Sequence, residues 1–271
     1  HDVHWFGLKY WTGPDVVERE GVVLHGVEPP PDLYVDGRRS IAEALSFTAR
    51  LFQPLLHEEF DVVDCQEFPY FPVFPSKLQS VTYGSTLVMT WHEVWDDYWY
   101  DYLGWRGVFG KAVERVAAML PDTHVAVSEC TGRDVRGLGV SDVQRVPNGI
   151  DIDAVRRVPP ADRDVDVLFV GRFIEEKNAD LLVKAIAALR EERPDVRCVL
   201  LGEGPERESV TSLVEAKDLT ENVAILDPLD SYDRVLGLMK AADVFALPSR
   251  REGFGITVLE ALACGTPVVT I

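Results

Sequence analysis

Residues 249–271 read SRREGFGITVLEALACGTPVVTI. The apolar run DVFAL at 243–247 stands just before them, and they close on a second apolar run, PVVTI at 267–271. Between the two runs, a segment starting at about Gly255 has the composition of a helix. Strand, glycine loop, helix and strand make one βαβ unit, which requires a parallel sheet. Gly253 and Gly255 flank Phe254, so the loop backbone can approach a bound group closely. Two carboxylates, Glu252 and Glu260, bracket this loop.

The same rhythm extends back to Asp164. DVLFVG (166–171) reads as a buried strand and DLLVKAIAALR (180–190) as a helix with Leu181, Leu182, Ala185, Ile186 and Leu189 on one face. VRCVLLGEG (196–204) is a strand entering a glycine turn, and RESVTSLVEAK (207–217) the following helix. NVAIL (222–226) and a helix over 231–241 complete the series. Strands and helices alternating at this spacing predict a Rossmann-like domain.

The first half repeats the pattern less evenly. DVHWFG, GVVLHGV, DVVDCQ, TLVMTWH, HVAVSE and VQRVPN are strand candidates, separated by amphipathic helices over 40–59 and 108–120. Residues 64–85 are too rich in proline and aromatics to assign. The join falls near 148–163, a polar, charged segment with Pro159-Pro160 that has the signature of a linker. The prediction is therefore α/β: two Rossmann-like, doubly wound parallel-sheet domains facing a cleft, over residues 1–155 and 156–271. In open α/β sheets ligands bind beyond the carboxyl ends of strands, so the chemistry is expected in the loops that follow them.

Composition narrows the partners. Acids outnumber bases 45 to 27, a formal net charge of −18, and the bases include 20 arginines and seven lysines. Such a surface repels nucleic acid and anionic headgroups, so neither is expected as a partner. Solubility and adaptation to high salt both account for the charge. No apolar run reaches the length of a transmembrane span. Cys65, Cys130, Cys198 and Cys264 are far apart and read as buried, reduced thiols of a cytoplasmic protein.

Three stretches carry candidate chemistry. In VGRFIEEKN, Gly171 lets the chain turn, and Arg172 and Lys177 place two cations beyond a strand end, which suits a diphosphate. The alternative is a solvated loop paired with Glu175 and Glu176. In EGFGITVLE, the amides around Gly253, Phe254, Gly255, Ile256 and Thr257 form a helix amino terminus suited to anionic oxygens. Glu252 and Glu260 could accept hydrogen bonds from ligand hydroxyls, or serve as a helix-dipole partner and a surface residue. His92 falls where its strand should stop, in an aromatic-rich run (VMTWHEVWDDYWYDYLGW) that suits sugar stacking or a core patch. GxxxxGK[ST], GxSxG and HExxH are absent, GEGPER (202–207) lacks a third fingerprint glycine, and the aspartate pair Asp151/Asp153 is discounted as a metal site.

Arg172 with Lys177, Glu252 with Glu260, VPNGID at 146–151, and the run ADVFALPS…EGFG…EALACGTPVV together resemble the family 4 retaining glycosyltransferases of the GT-B fold. The match covers essentially the whole second half and is looser in the first. The resemblance implies transfer of a sugar from a nucleotide-diphosphate-sugar to a glycan, lipid-linked or small-molecule acceptor, with retention, no cofactor and no metal. It assigns Arg172 and Lys177 to the diphosphate, Glu260 to the ribose, and His92 and Glu252 to the transferred sugar. It also implies that a strand–helix unit is missing in front and several elements behind. A cytoplasmic location, including the inner membrane face, is expected. Two rival readings are a nucleotide-sugar epimerase, with Glu93 or Asp96 as acid/base groups, and a non-catalytic nucleotide-sugar or glycan-binding module.

Overall fold

The computed structural model describes residues 1–30 and 40–271. It divides into two compact units, His1–Pro147 and Asn148–Ile271. That division lies a few residues ahead of the 155/156 boundary read from the sequence.

The second unit contains α6 (Ile152–Arg157), β8 (Val165–Val170), α7 (Ala179–Arg190), β9 (Cys198–Leu201), α8 (Arg207–Ala216), β10 (Val223–Leu226), α9 (Tyr232–Ala241), β11 (Ala242–Leu247), α10 (Ile256–Ala263) and β12 (Val268–Thr270). Its strands form one parallel sheet in the order β10-β9-β8-β11-β12. The chain first winds from β8 out to β10, then returns to the other side of β8 for β11 and β12. Because parallel crossovers are right-handed, the reversal sends successive helices to opposite faces; α7 packs on α8, and α9 on α10. The central strands are apolar on both faces: β9 is buried at all four positions, and Leu168, Phe169, Leu200 and Phe245 are fully buried. Each such side chain contributes about 1.5–3 kcal/mol. The segment read as a linker folds as α6, and its Val155 and Val158 join this core.

The first unit contains β1 (Val3–Leu8), β2 (Val16–Arg19), β3 (Val22–Glu28), α1 (Ile41–Leu55), β4 (Val62–Gln66), α2 (Val73–Tyr83), β5 (Thr86–Trp91), α3 (Tyr98–Leu103), α4 (Gly107–Ala117), β6 (Thr123–Ala126), α5 (Glu129–Gly137) and β7 (Val143–Arg145). Its strands fall into two sheets. One is parallel, in the order β4-β5-β6-β7; the other has the order β1-β3-β2, with β2 antiparallel to β3. A cavity of about 780 Å³ lies between β1, α1 and β4, lined by Phe6, Phe47, Leu51, Phe60 and Val63 among others. The proline-rich stretch that resisted assignment supplies the end of β4, a cis Phe68–Pro69 peptide and α2. In α2, Pro75 sits in the first turn, where its missing N–H costs nothing.

Candidate functional site

The order of the second unit's sheet places a topological switch between β8 and β11, the position where open α/β sheets bind ligands. The two loops that follow these strands carry Gly171, Arg172 and Lys177 on one side and Glu252, Gly253, Phe254 and Gly255 on the other.

The loop after β8 takes its shape from its neighbour. Gly171 N–H donates to Leu201 O (3.0 Å), Phe173 N–H to Glu203 O (2.7 Å), and Glu206 N–H to Phe173 O (2.9 Å). A Cβ at Gly202 would stand 1.9 Å from Gly171 O, and one at Gly204 2.4 Å from Phe173 O. The GEGPER segment therefore serves this close approach, with Arg207 lying over the Phe173 ring and donating to Gly202 O at 3.0 Å. The loop ends in a short 3₁₀ turn, Glu175–Lys177, and then Asn178, buried in the left-handed region at φ 55°.

The loop after β11 is tied to the first one. Arg250 N–H donates to Glu176 O at 2.8 Å, and the Arg250 guanidinium lies 3.5 Å from Glu175. Lys177 Nζ pairs directly with Glu252 Oε1, joining the cation assigned to a diphosphate to the carboxylate assigned to a sugar. Gly255, at φ 72°, is the amino-terminal cap of α10, so the first-turn amides of Ile256 and Thr257 have no intrahelical acceptor. Glu260 lies one turn inside that helix. It is buried rather than a surface residue, accepts from the Tyr232 hydroxyl at 2.8 Å, and burial pushes its carboxyl pKa up. Ser249 Oγ, at the start of the loop, is buried with no hydrogen-bond partner among the described residues. Such an orphaned hydroxyl is the kind of group that a ligand or water satisfies.

In the first unit, His92 follows β5 directly. Its Nε2 is 2.7 Å from Gln66 Oε1, its backbone N–H donates to Glu67 Oε2 at 3.0 Å, and its carbonyl accepts from Thr131 Oγ1 at 3.2 Å. Burial lowers the imidazole pKa, with Asp64 and Glu93 opposing, so the ring is neutral near pH 7. Glu67, at the end of β4, is buried, and desolvation lifts its pKa to about 8. The aromatic run packs largely on itself: Trp95 stacks on Phe68 (4.9 Å) and meets Tyr98 and Tyr102 edge-on, while Trp91 and Trp99 are buried. The core-patch alternative accounts for these contacts. Fully buried Glu114 fixes the run, accepting from Tyr70 Oη (2.6 Å), Trp95 N–H (2.7 Å) and Asp96 N–H (2.9 Å).

Sequence reading missed Glu67, Glu114, Tyr232, Ser249 and the packing role of Gly202 and Gly204. Glu67 carried the same signal as His92, a polar residue at a strand's carboxyl end. Asp151, half of the discounted aspartate pair, is the cap of α6, accepting from Ala154 N–H at 2.8 Å, and Asp153 pairs with Arg156. Among the cysteines, Cys65 and Cys198 are buried, but Cys130 is exposed, at variance with the expectation. Among the described residues, no helix is long and apolar enough to cross a membrane.

Comparison with known proteins places these features in a family. Residues 1–154 match the model described as Glycosyltransferase Family 4, and residues 151–271 the model described as Glycosyl transferases group 1. A D-inositol 3-phosphate glycosyltransferase of Pseudarthrobacter chlorophenolicus is 33% identical over 172 residues, covering 59% of this chain and 40% of the relative. A GDP-mannose-dependent alpha-(1-6)-phosphatidylinositol dimannoside mannosyltransferase of Mycobacterium tuberculosis is 30% identical over 198 residues, covering 69% of this chain and 51% of the relative. The chain thus spans about half or less of the length of these curated relatives. Among solved structures, sucrose-phosphate synthase from Thermosynechococcus elongatus aligns with a TM-score of 0.80 at 19% identity, over 99% of this chain and 71% of that one. Anabaena HepE in complex with UDP and glucose aligns with a TM-score of 0.69 at 19% identity, over 91% and 67%. The α/β fold with parallel sheets is that of these GT-B glycosyltransferases. By both family models and by the loops that its fold brings together, the chain belongs to glycosyltransferase family 4.

Proposed function

We propose that this chain forms the core of a retaining glycosyltransferase that takes its sugar from a nucleotide-diphosphate-sugar and requires no metal. The observation that carries the reading is the convergence at the β8/β11 switch point of Lys177, Glu252, the amino terminus of α10 and the unpartnered Ser249 hydroxyl. Arg172 and Lys177 hold the diphosphate, helped by the amides of Gly253 to Thr257. Glu260 holds the ribose, and Glu252 reads the transferred sugar.

In the reaction, the bond from the anomeric carbon to the leaving phosphate breaks as the acceptor oxygen forms its bond on the same face. The leaving phosphate oxygen takes the acceptor's proton. The cations and helix amides stabilise the charge that grows on the diphosphate, which is electrostatic catalysis by preorganised groups. His92, neutral and oriented by Gln66, hydrogen-bonds the sugar. The acceptor is a glycan, lipid-linked or small-molecule hydroxyl; the two curated relatives named above carry inositol-containing acceptors in their names. We place the reaction in the cytoplasm, including the inner membrane face for a lipid-linked acceptor. Glu93, the first acid/base candidate of the epimerase reading, accepts from the Trp95 indole (2.8 Å), and Asp96 pairs with Lys111 (2.9 Å).

Calorimetry with UDP-, GDP- and ADP-sugars tests the assignment. Arg172→Ala should weaken nucleotide-diphosphate binding about tenfold or more and leave nucleoside binding unchanged, since a charge-assisted bond contributes ~1.5–3 kcal/mol. Glu260→Gln should weaken the bare nucleotide, whereas Glu252→Gln should depress turnover with nucleotide still bound. Equal affinities in Arg172→Ala and parent, or activity that is abolished by chelation and restored only by magnesium or manganese, would refute it.

A further inference from the structure

We propose that His4, His25 and Glu58 bind one divalent transition-metal ion of the zinc class. The site lies wholly in the first unit.

The placement follows from strand register. β1 and β3 are parallel, with Phe6 opposite His25 and His4 opposite Val23. His4 and Phe6 are two apart and share one face, and His25, beside Phe6, shares it too. The rings confirm this: Phe6 and His25 stack at 4.3 Å, and His4 and His25 at 5.1 Å. Glu58 reaches the same point from the turn between α1 and β4, and Phe60, two residues on, stands edge-on to both His4 and Phe6.

His4 Nδ1 lies 3.0 Å from His25 Nε2 and 2.9 Å from Glu58 Oε2. An imidazole nitrogen carries either one proton or one lone pair. If His4 Nδ1 is protonated, it must divide one hydrogen between two acceptors. If it is not, and His25 donates to it, its lone pair faces the Glu58 carboxylate. Hydrogen bonding alone therefore satisfies one of the two short contacts and leaves the other poor. A cation reverses that conflict, because it uses three converging lone pairs at once.

The donor atoms all lie within 4.8 Å of one another. Around a tetrahedral ion with Zn–N and Zn–O bonds of about 2.0–2.2 Å, donor atoms stand about 3.3 Å apart, a few tenths wider than the two short contacts found. The Glu58 side chain is 43% exposed, so it can rotate to meet the ion and leaves a path for entry. Two imidazoles and one carboxylate favour zinc, cobalt, nickel or copper over magnesium and calcium, which prefer oxygen. Water fills the fourth position. Bound there, the ion would clamp the β1–β3 pair to the connection between α1 and β4.

The test uses the whole chain, stripped by chelation and titrated with Zn²⁺ by calorimetry and with Co²⁺ by visible absorption. One equivalent should bind, with tetrahedral Co²⁺ bands and a rise in Tm that grows with free metal. Excess Mg²⁺ should not compete. His4→Gln and His25→Gln should each weaken binding at least about tenfold. Glu58→Gln, at the surface, gives the same readout with the fold intact by circular dichroism. Absence of binding up to about 100 μM Zn²⁺ would overturn the proposal, since two imidazoles and a carboxylate converging on one ion should hold it more tightly than that. So would full uptake by the His4→Gln/His25→Gln double variant, or displacement by Mg²⁺, either of which assigns the metal to the acidic surface.

Discussion

The two units solve the same problem of covering a parallel sheet in different ways. In the second, one five-stranded sheet reverses its winding at β8, and the reversal opens a crevice into which two loops converge. In the first, the strands β4-β5-β6-β7 run in one direction without reversal, and a second small sheet stands apart from them. Its polar residues at strand ends, Glu67 and His92, are organised by each other and by Gln66 and Thr131 rather than by a switch point. Where topology makes the crevice, backbone packing between loops sets the geometry; where it does not, side-chain hydrogen bonds must do so.

The most damaging way to probe that contrast is at Gly202. A methyl group there would stand 1.9 Å from the backbone oxygen of Gly171, which cannot yield cheaply, at a φ of 151° that side chains rarely adopt. Gly202→Ala should cost about 3 kcal/mol or more in urea denaturation of the second unit and abolish nucleotide binding. A variant of near-parental stability that still binds nucleotide would show that loop packing does not set the site.

A second experiment addresses the side-chain-organised region. Burial raises the Glu67 pKa from its ordinary value near 4.5 to about 8. Between those values the folded state keeps a proton that the unfolded state releases, so the group's stabilisation is complete below pH 4.5 and is lost as pH rises to about 8. The parent should therefore lose stability over this window by an amount on the order of a few kcal/mol that Glu67→Gln does not lose. Thermal unfolding of both proteins from pH 5 to 8.5 reads the difference. Parallel pH profiles would mean that Glu67 titrates normally.

The smallest effect is the control for the first. Gly84 has positive φ too, 78° against 151° at Gly202, at the carboxyl end of α2, but a Cβ there meets nothing within 4 Å among the described residues. Gly84→Ala should cost only about 1 kcal/mol, the intrinsic penalty of the left-handed region. A loss as large as that at Gly202 would trace the first result to backbone conformation rather than to contact between loops.

The second unit was almost fully legible in the sequence because its central strands are buried on both faces and read as unbroken apolar runs, as in Cys198–Leu201. β2 was missed because VVER is short and mostly exposed. α2 was hidden by Pro75 and by Pro69 and Pro72 just ahead of it. The site residues were legible as types and positions, but their pairings were not. Lys177 and Glu252 are 75 residues apart, and nothing local to either one names the other. The burial of Glu114 was equally invisible, because a glutamate in an amphipathic helix reads as solvent-facing until its three donors are seen.

The Lys177–Glu252 contact also bears on how a donor would arrive. The lysine already has a counter-ion, so under the proposed function a diphosphate does not add to a bare cation; it displaces a carboxylate from one. Loading is then an exchange of anions that conserves the ion pair at Lys177. Its dependence on ionic strength should be shallower than two permanently waiting cations would give. The displaced Glu252 is released at the same moment toward the hydroxyls it is proposed to read. Engagement of the phosphate end thereby arms the sugar end, and discrimination among sugars begins only after the nucleotide has taken its place.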